Sequence, residues 1–224
     1  MKLHVKLPPK YRKLMSSLKN QKILGIKITD SLVLEGLVKI AWDIAKQYSP
    51  KDAVLRIEGL VLANLASIWT FVLLEKEGGA YPYWSYLESE RWYLGHFSDH
   101  IPQGENDDWK FIDNLHCGQK YRFGNINTLN TQLGARIGKC STYTITLGLI
   151  LYVCELVDDL SLVGANGHAW VHCQVKGDKE CRHIDLSLRS HGQLESDKGP
   201  DYYRDLMLSE DAVLFNFALH EKGA

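Results

Sequence analysis

The fold that we predict for this chain is based on residues 138–187, GKCSTYTITLGLILYVCELVDDLSLVGANGHAWVHCQVKGDKECRHIDLS. Residues 140–156 carry apolar side chains at helical spacing, and Asp158-Asp159 is expected to end that helix. Turn-forming sequences, GANG and KGDK, separate the strand-like runs that follow, which cover residues 160–163, 168–175 and 181–186. A helix followed by short strands predicts an α+β fold for this half of the chain.

The first half of the chain has a helical pattern instead. Residues 31–48 carry an apolar stripe, and Ser49-Pro50 is expected to end this helix. Asp52 is placed to cap a second helix, which we expect to begin at residue 53 and to continue to residue 77. Gly78-Gly79 then supplies the stop, because glycine tolerates the left-handed conformation that closes helices.

We place the boundary between the two halves near residue 110. Residues 80–113 are rich in Tyr, Trp and Phe, and rings that fill the seam between the halves are a better interpretation than a ligand platform. Residues 101–108, IPQGENDD, have the composition of a linking loop. The chain is therefore predicted to have a helical N-terminal region, residues 1–110, packed on a catalytic core, residues 111–224.

Composition and charge argue against several classes of function. The 224 residues include 26 Lys and Arg against 27 Asp and Glu, so no strong charge points to nucleic acid or an anionic membrane. Residues 59–74 lack charged side chains but are short for a membrane span, which needs ~20 apolar residues, so a buried helix is expected there. An N-terminus without an apolar signal, together with an odd number of cysteines, five, predicts a cytoplasmic protein, with export by a specialised secretion system as the alternative.

Cys140 is the candidate nucleophile. It stands at the predicted start of a helix, where free N–H groups and the positive end of the helix dipole stabilise a thiolate. Gly138 allows a tight entry into the helix, and Lys139 adds a nearby positive charge. A cysteine at a helix start is by itself more often a small buried residue, so the assignment needs partners.

Two further motifs supply those partners. His168 begins one strand in GHAWV, and Asp185 lies in the next strand in HIDLS. A thiol nucleophile needs a base that removes its proton and later protonates the leaving group, and the imidazole needs a carboxylate to fix its tautomer. Neighbouring antiparallel strands place two such side chains on one face of a sheet. The order Cys, His, Asp therefore predicts a catalytic triad.

The hairpin between these strands predicts how His168 and Asp185 meet. A two-residue loop, Lys176-Gly177, would place His168 directly opposite Asp185. A four-residue loop, residues 176–179, would shift the pairing by two positions and leave Asp185 diagonal to His168 on the same face. We expect the two-residue loop.

These motifs resemble the transglutaminase-like superfamily, which is related to papain. The matching residues are Gly138-Lys-Cys140, Gly167-His-Ala-Trp170 and Ile184-Asp-Leu-Ser187. The resemblance implies a catalytic helix packed on a small antiparallel sheet. It also implies that Cys140 is the nucleophile, His168 the general base and acid, and Asp185 the group that orients the imidazole.

An oxyanion hole is also required, because the tetrahedral intermediate carries negative charge on the former carbonyl oxygen. The backbone N–H of Cys140 is one natural donor. Gln132, eight residues upstream, is the first candidate for a side-chain donor, with Gln119 and Asn130 behind it.

Zinc binding is the alternative for the remaining thiols and imidazoles. His116-Cys117, His172-Cys173 and Cys181-x-His183 contain ligand types that zinc prefers, and the two-residue loop would place His172 opposite Cys181. No second half of a tetrahedral site occurs at recognisable spacing, and no Cys-x-x-Cys is present. We therefore predict neither a metal nor a cofactor.

The function predicted from the sequence is a cysteine-nucleophile enzyme that acts on amide bonds of a protein or peptide through a thioester. Cysteine peptidase, glutamine deamidase and transglutaminase activities all fit, because the same three residues serve each. The alternative is a non-catalytic protein-binding module that keeps the transglutaminase-like fold.

Overall fold

The structure is a computed structural model that describes residues 6–67, 109–114, 119–124, 128–135, 137–190, 193–199 and 201–221. The linker predicted at residues 101–108 and the helix end predicted at Gly78-Gly79 lie outside these ranges. The larger part of the aromatic-rich stretch, residues 80–108, lies outside them as well.

The N-terminal part consists of helices around a small hairpin. Its elements are α1 (Pro9–Leu18), β1 (Lys22–Ile23), β2 (Ile26–Lys27), α2 (Leu32–Gln47) and α3 (Pro50–Asn64). The Ser31 hydroxyl accepts a hydrogen bond from the Leu34 amide and thereby caps α2, which corresponds to the first predicted helix. Asp52 was the wrong choice of cap for the second helix: Ser49 caps α3, because Pro50, with its fixed φ, starts the helix.

Helix α3 ends at Asn64, so the predicted continuation to residue 77 is wrong. Residues Ala66–Ser67 form strand β3, which pairs in parallel with Ile137–Gly138, strand β6. The Tyr143 hydroxyl also donates to the Leu65 carbonyl over 2.8 Å. Pairing with a distant part of the chain therefore outweighs the local helical pattern. Across the described part of the chain, no helix has the length and apolarity needed to cross a membrane.

The helix that carries Cys140 lies at the centre of the molecule. It is α5 (Cys140–Val153), preceded by strands β4 (Trp109–Asn114) and β5 (Gln119–Gly124), which pair with each other, and by helix α4 (Leu129–Ala135). Nearly every α5 side chain from residue 141 to residue 153 is buried, including those of Thr142, Thr144 and Thr146. The helix is therefore enclosed on all sides, not only along one apolar stripe. Glu155, with φ 56°, takes the left-handed conformation just beyond its end.

The main sheet follows α5 directly. Its strands are β7 (Val157–Ala165), β8 (His168–Val175), β9 (Arg182–Ile184) and β10 (Val213–Phe215), antiparallel in the order β10–β7–β8–β9. Strand β8 has the predicted bounds. Strand β7 is longer than predicted and includes Asp158 and Asp159, which we expected to precede it. An irregularity in the pairing between Val157 and Asp159 accommodates them.

The two-residue connection predicted between β8 and β9 is wrong. Lys176 and Gly177 do form a turn, in which the Asp178 amide donates to the Val175 carbonyl. The chain then continues unpaired to Arg182, and Val171 lies opposite Ile184, which is the register of the longer loop. A turn closed from residue 175 to residue 178 with φ 87° at its third residue, Gly177, is not one of the primed turns that join directly paired strands.

Short helices and a 3₁₀ turn complete the chain. They are α6 (Leu186–Arg189), a 3₁₀ turn (Glu195–Lys198), α7 (Tyr202–Met207) and α8 (Phe217–Glu221). One large apolar core joins α1, α2 and α3 to α5 and to one face of the sheet, and a smaller one joins Trp170 to Tyr203 on the other. The predicted α+β class is therefore confirmed as a mixture of helices and small, mainly antiparallel sheets.

The closest approach of α5 to the sheet is at Gly148. A β carbon at this position would overlap Leu162 Cδ2, and Leu162 is fully buried. We expect Gly148→Val to lower the free energy of unfolding by about 1–3 kcal/mol, because the core has no room for the added atoms. Urea unfolding measures the change.

Gly59 provides the matched control. It lies within α3, and a β carbon there would meet no atom within 4 Å. Gly59→Ala should therefore raise the free energy of unfolding by about 0.5–1 kcal/mol, since alanine restricts the unfolded chain and favours the helix. Equal effects at the two glycines would contradict the close packing of α5 on β7.

Candidate functional site

Cys140 is the first residue of α5 and lines a cleft. The first turn is closed by Thr142, whose side chain accepts from the Lys139 amide over 3.2 Å. The amides of a first helical turn have no intrahelical acceptor, so they point towards the space beyond the helix start. The thiol is half-buried and thus accessible from the cleft. This is the position predicted for a thiolate nucleophile.

His168 enters the same cleft from the start of β8. Asn166 and Gly167 join β7 to β8, and both have left-handed backbones, with φ of 50° and 73°. This two-residue turn matches the twist of the strands and brings His168 directly after the bend. The imidazole Nε2 lies 2.6 Å from Asp185 Oδ2, and His168 lines the cleft together with Cys140. The three predicted residues therefore meet.

Asp185 is buried, with 1% of its surface exposed, and all its partners are in place. Its Oδ2 accepts from the Tyr203 hydroxyl over 3.0 Å in addition to His168. Its Oδ1 accepts from the Ser187 hydroxyl over 2.7 Å and from the Leu188 amide over 3.0 Å, which makes Asp185 the cap of α6. Burial opposes ionisation, but these hydrogen bonds and the charge of His168 outweigh it and lower the pKa of Asp185.

The same contacts act on His168 in the opposite sense. Burial disfavours the imidazolium, but hydrogen bonds to Asp185 and Cys140, together with the charge of each, outweigh burial and raise the pKa of His168 to about 10. The side chain is 27% exposed, so it remains reachable from the cleft. At neutral pH the geometry therefore favours an imidazolium beside the sulfur, which is the form that can protonate a leaving group.

Aromatic side chains pack against His168 and around Tyr203, whose hydroxyl binds Asp185. The Trp170 ring stacks on His168 with 6.1 Å between centroids and packs against Tyr203 at 5.2 Å. Trp170 Nε1 donates to His183 Nδ1 over 3.1 Å, and the Tyr203 ring stacks on His183. Burial, followed by the charge of neighbouring His172, lowers the pKa of His183 to about 4, so it remains a neutral acceptor. The cluster fixes the orientation of the Tyr203 hydroxyl and thus of Asp185.

The residues considered for a zinc site are arranged differently from the prediction. The observed register places His172 opposite His183, not opposite Cys181, which is exposed and precedes β9. Within the described residues, no group of three or more His, Cys, Asp or Glu side chains is arranged to hold a metal ion. His116 and Cys117 lie outside the described residues.

The oxyanion candidates occupy three different environments. Gln132 on α4 is buried, and its carbonyl oxygen accepts a hydrogen bond from the Thr142 hydroxyl, so its amide is held against the first turn of α5. Asn130 is exposed on α4, and its backbone amide donates to Thr29. Gln119 belongs to β5, whose side chains are outside the described part of the structure. The role of Gln132 as a donor stays a prediction.

The cleft beside Cys140 has a volume of about 440 Å³. One wall is the tip of the β1–β2 hairpin, Leu24-Gly25, and the other is the β7–β8 turn with its flanking residues, 164–167. Asp211 and Val213 line it at the β10 side. Asp211 accepts from the Asn166 amide over 2.7 Å and thereby holds the turn in place. The first half of the chain thus contributes directly to the cleft.

Sequence reasoning missed the groups that hold Asp185. Ser187 stands within the quoted motif, and its position two residues after the aspartate is a local signal for an aspartate that caps a turn. Tyr203 has no such signal, because it reaches Asp185 from a separate helix. Glu195, whose carboxylate accepts the Asp185 backbone amide over 2.8 Å, is likewise distant in sequence from any motif.

Comparisons of this chain with models of protein families, with curated proteins and with solved structures found no match. The chemistry and geometry of the site itself are therefore the basis for assigning a function to this protein.

The contact between His168 and Asp185 leads to a testable pH dependence. We expect Asp185→Asn to lower the pKa of His168 from about 10 towards 6.5, because the negative charge that stabilises the imidazolium is removed while the side-chain volume is kept. Titration of the imidazole Cε1–H signal by NMR measures the shift, with the His168→Gln protein used for assignment.

The raised pKa of His168 also makes the free energy of unfolding depend on pH. Because the folded-state pKa of His168 is raised, its contribution to the free energy of unfolding is present below pH 6.5 and is lost as the pH rises towards 10.

Asp205→Asn is the matched control for the NMR titration of Asp185→Asn, since Asp205 is an exposed carboxylate on α7. An unchanged His168 titration in Asp185→Asn, or an equal shift in Asp205→Asn, would contradict the pairing.

Proposed function

We propose that the protein is a cysteine-nucleophile enzyme that cleaves or transfers amide groups of a protein or peptide through a thioester. The observation that carries the proposal is the placement of a thiol, an imidazole and a buried carboxylate at one cleft. Asp185 holds His168 at 2.6 Å, and His168 lines the same cleft as Cys140, which stands at a helix start. A structural cysteine in a core needs no such partners.

The proposed first half-reaction forms the thioester. The Cys140 thiolate attacks the carbonyl carbon of the amide, a C–S bond forms, and negative charge moves to the oxygen. The Cys140 backbone N–H stabilises this oxyanion, with Gln132 as the proposed side-chain donor. The C–N bond then breaks while His168 gives its proton to the departing nitrogen, which leaves as an amine or as ammonia.

The proposed second half-reaction returns the enzyme to its starting state. His168, now neutral, takes a proton from water or from an amine as that molecule attacks the thioester carbonyl. The C–S bond breaks and the thiolate is released beside the imidazolium. Water gives a carboxylic acid, which corresponds to peptide hydrolysis or glutamine deamidation, and an amine gives a new amide, which corresponds to a cross-link.

The arrangement of elements supports the finer proposal of a papain-related, transglutaminase-like core. The cysteine begins a central helix, α5, and the histidine and aspartate come from successive strands of an antiparallel sheet packed on that helix. Asp185 follows β9 directly, so the chain order and the supporting elements match those that the sequence motifs implied. The enclosed position of α5 leaves Cys140 at the one end of the helix that opens into the cleft.

Thiol reactivity tests the nucleophile within one molecule. Cys181 is exposed and Cys140 only half-exposed, so accessibility alone would favour Cys181. We expect iodoacetamide at pH 6 to modify Cys140 on the order of tenfold faster, because a neighbouring imidazole and a helix start increase the reactivity of a cysteine. Peptide mass mapping after short exposures gives both rates.

The control for this experiment is His168→Gln, which removes the imidazolium and leaves the helix start intact. The advantage of Cys140 over Cys181 should fall several-fold in this variant. If Cys140 reacts no faster than Cys181 in the unaltered protein, the proposed nucleophile is wrong.

Intact-mass analysis of candidate protein substrates distinguishes the three activities. Replacement of an amide NH₂ by OH indicates deamidation, joining of two chains with loss of ammonia indicates cross-linking, and fragments indicate proteolysis. Each product should be absent with Cys140→Ala. A product formed equally by Cys140→Ala would rule out the thioester route.

A further inference from the structure

A second buried carboxylate lies outside the three proposed catalytic residues. Glu58, on α3 of the N-terminal part, is 2% exposed and lies between two arginines of the core. Arg189 Nη1 donates to its Oε2, and Arg182 Nη2 lies 3.9 Å from its Oε1. A carboxylate is costly to bury without such partners, so Glu58 requires these cations to remain in place.

The two arginines lie on either side of Asp185 in the chain. Arg182 begins β9, three residues before Asp185, and Arg189 ends α6, four residues after it. Both converge on the same carboxylate of α3. The segment that carries Asp185 is therefore joined to the N-terminal part of the molecule by the Arg189 hydrogen bond, with the longer Arg182 ion pair beside it.

A third contact connects this pair to the backbone of Asp185. Arg189 Nε lies 2.8 Å from Glu195 Oε1, and that same oxygen accepts the Asp185 amide over 2.8 Å. The planar guanidinium of Arg189 thus bridges two carboxylates, one on α3 and one in the 3₁₀ turn. Arginine suits this role because its donors lie in a fixed fork, whereas lysine offers a single charged nitrogen on a flexible stem.

We propose that Glu58, Arg189 and Glu195 are positioning residues that hold Asp185 in hydrogen-bonding reach of His168, which makes α3 a working part of the site. The inference rests on the proposed function, because positioning has a purpose only if His168 serves Cys140. The three residues touch neither the thiol nor the cleft. They act through the Asp185 amide and through α6, which follows Asp185 in the chain.

Arg189→Lys is the most direct test. It keeps the positive charge beside Glu58 but cannot bridge both carboxylates as the guanidinium does. We expect the NMR titration of His168 to move to lower pH and iodoacetamide labelling of Cys140 at pH 6 to slow several-fold. Glu195→Gln, which keeps an acceptor for the Asp185 amide but weakens the tie to Arg189, should shift both measurements in the same direction by less.

Arg204→Lys is the matched control. Arg204 is an exposed arginine on α7, with 65% of its side chain accessible, and its ion pairs with Asp201 and Asp205 are on the surface. Both the His168 titration and the Cys140 labelling rate should be unchanged in this variant. If Arg189→Lys fails to fold, Glu58→Gln removes the same tie from the other side with an isosteric side chain.

The outcomes separate a positioning role from a purely structural one. The proposal would be overturned if the variants at residues 58, 189 and 195 unfold at lower urea but retain the original His168 titration and Cys140 labelling rate. The ion pairs would then only stabilise the fold. A Cys140 that reacts no faster than Cys181 in the unaltered protein would instead overturn the proposed function. The His168 titration judges the positioning role in either case.

Discussion

The buried carboxylate of Asp185 is the constraint on which the rest of the site depends. A charge with 1% exposure must be satisfied almost entirely by protein groups, and Asp185 receives four donors, from His168, Tyr203, Ser187 and Leu188. These donors come from the strand β8 and from the two short helices α6 and α7. Short helices with little apolar surface of their own are thereby fixed to the sheet. The fold of the last third of the chain and the orientation of His168 are consequences of the same burial.

The centre of the molecule imposes a complementary constraint on Cys140. Helix α5 is enclosed on all sides, so its side chains cannot move without disturbing the core that joins both parts of the chain. Its start is held by the parallel pairing of β3 with β6 and by the Tyr143 hydroxyl on the Leu65 carbonyl. The sulfur is thus attached to a helix buried on all sides, and the imidazole to a strand that packs against that helix. Contact between them needs no closing movement of a loop.

The residues of the site could be predicted because their chemistry is local, whereas their supports could not. Cys140 at a helix start and His168 at a strand start each follow from short-range patterns. The two-residue loop expected to place His168 directly opposite Asp185 was wrong. The observed register is that of the longer loop, and Asp185 lies just beyond the end of β9, where it caps α6. The early end of α3 and the partners Tyr203 and Glu195 depend on contacts between distant segments. Periodicity within a window of the sequence carries no information about such contacts.

The two walls of the cleft depend on backbone conformations that few residues adopt. Both are tight turns with left-handed residues, Leu24-Gly25 on one side and Asn166-Gly167 on the other. Leucine at φ 48° is held in a conformation that costs about 1 kcal/mol relative to glycine, and its side chain fills the space left by the absent β carbon of Gly164. The contact of Leu24 with Gly164 therefore joins the β1–β2 hairpin of the N-terminal part to strand β7 at the edge of the cleft.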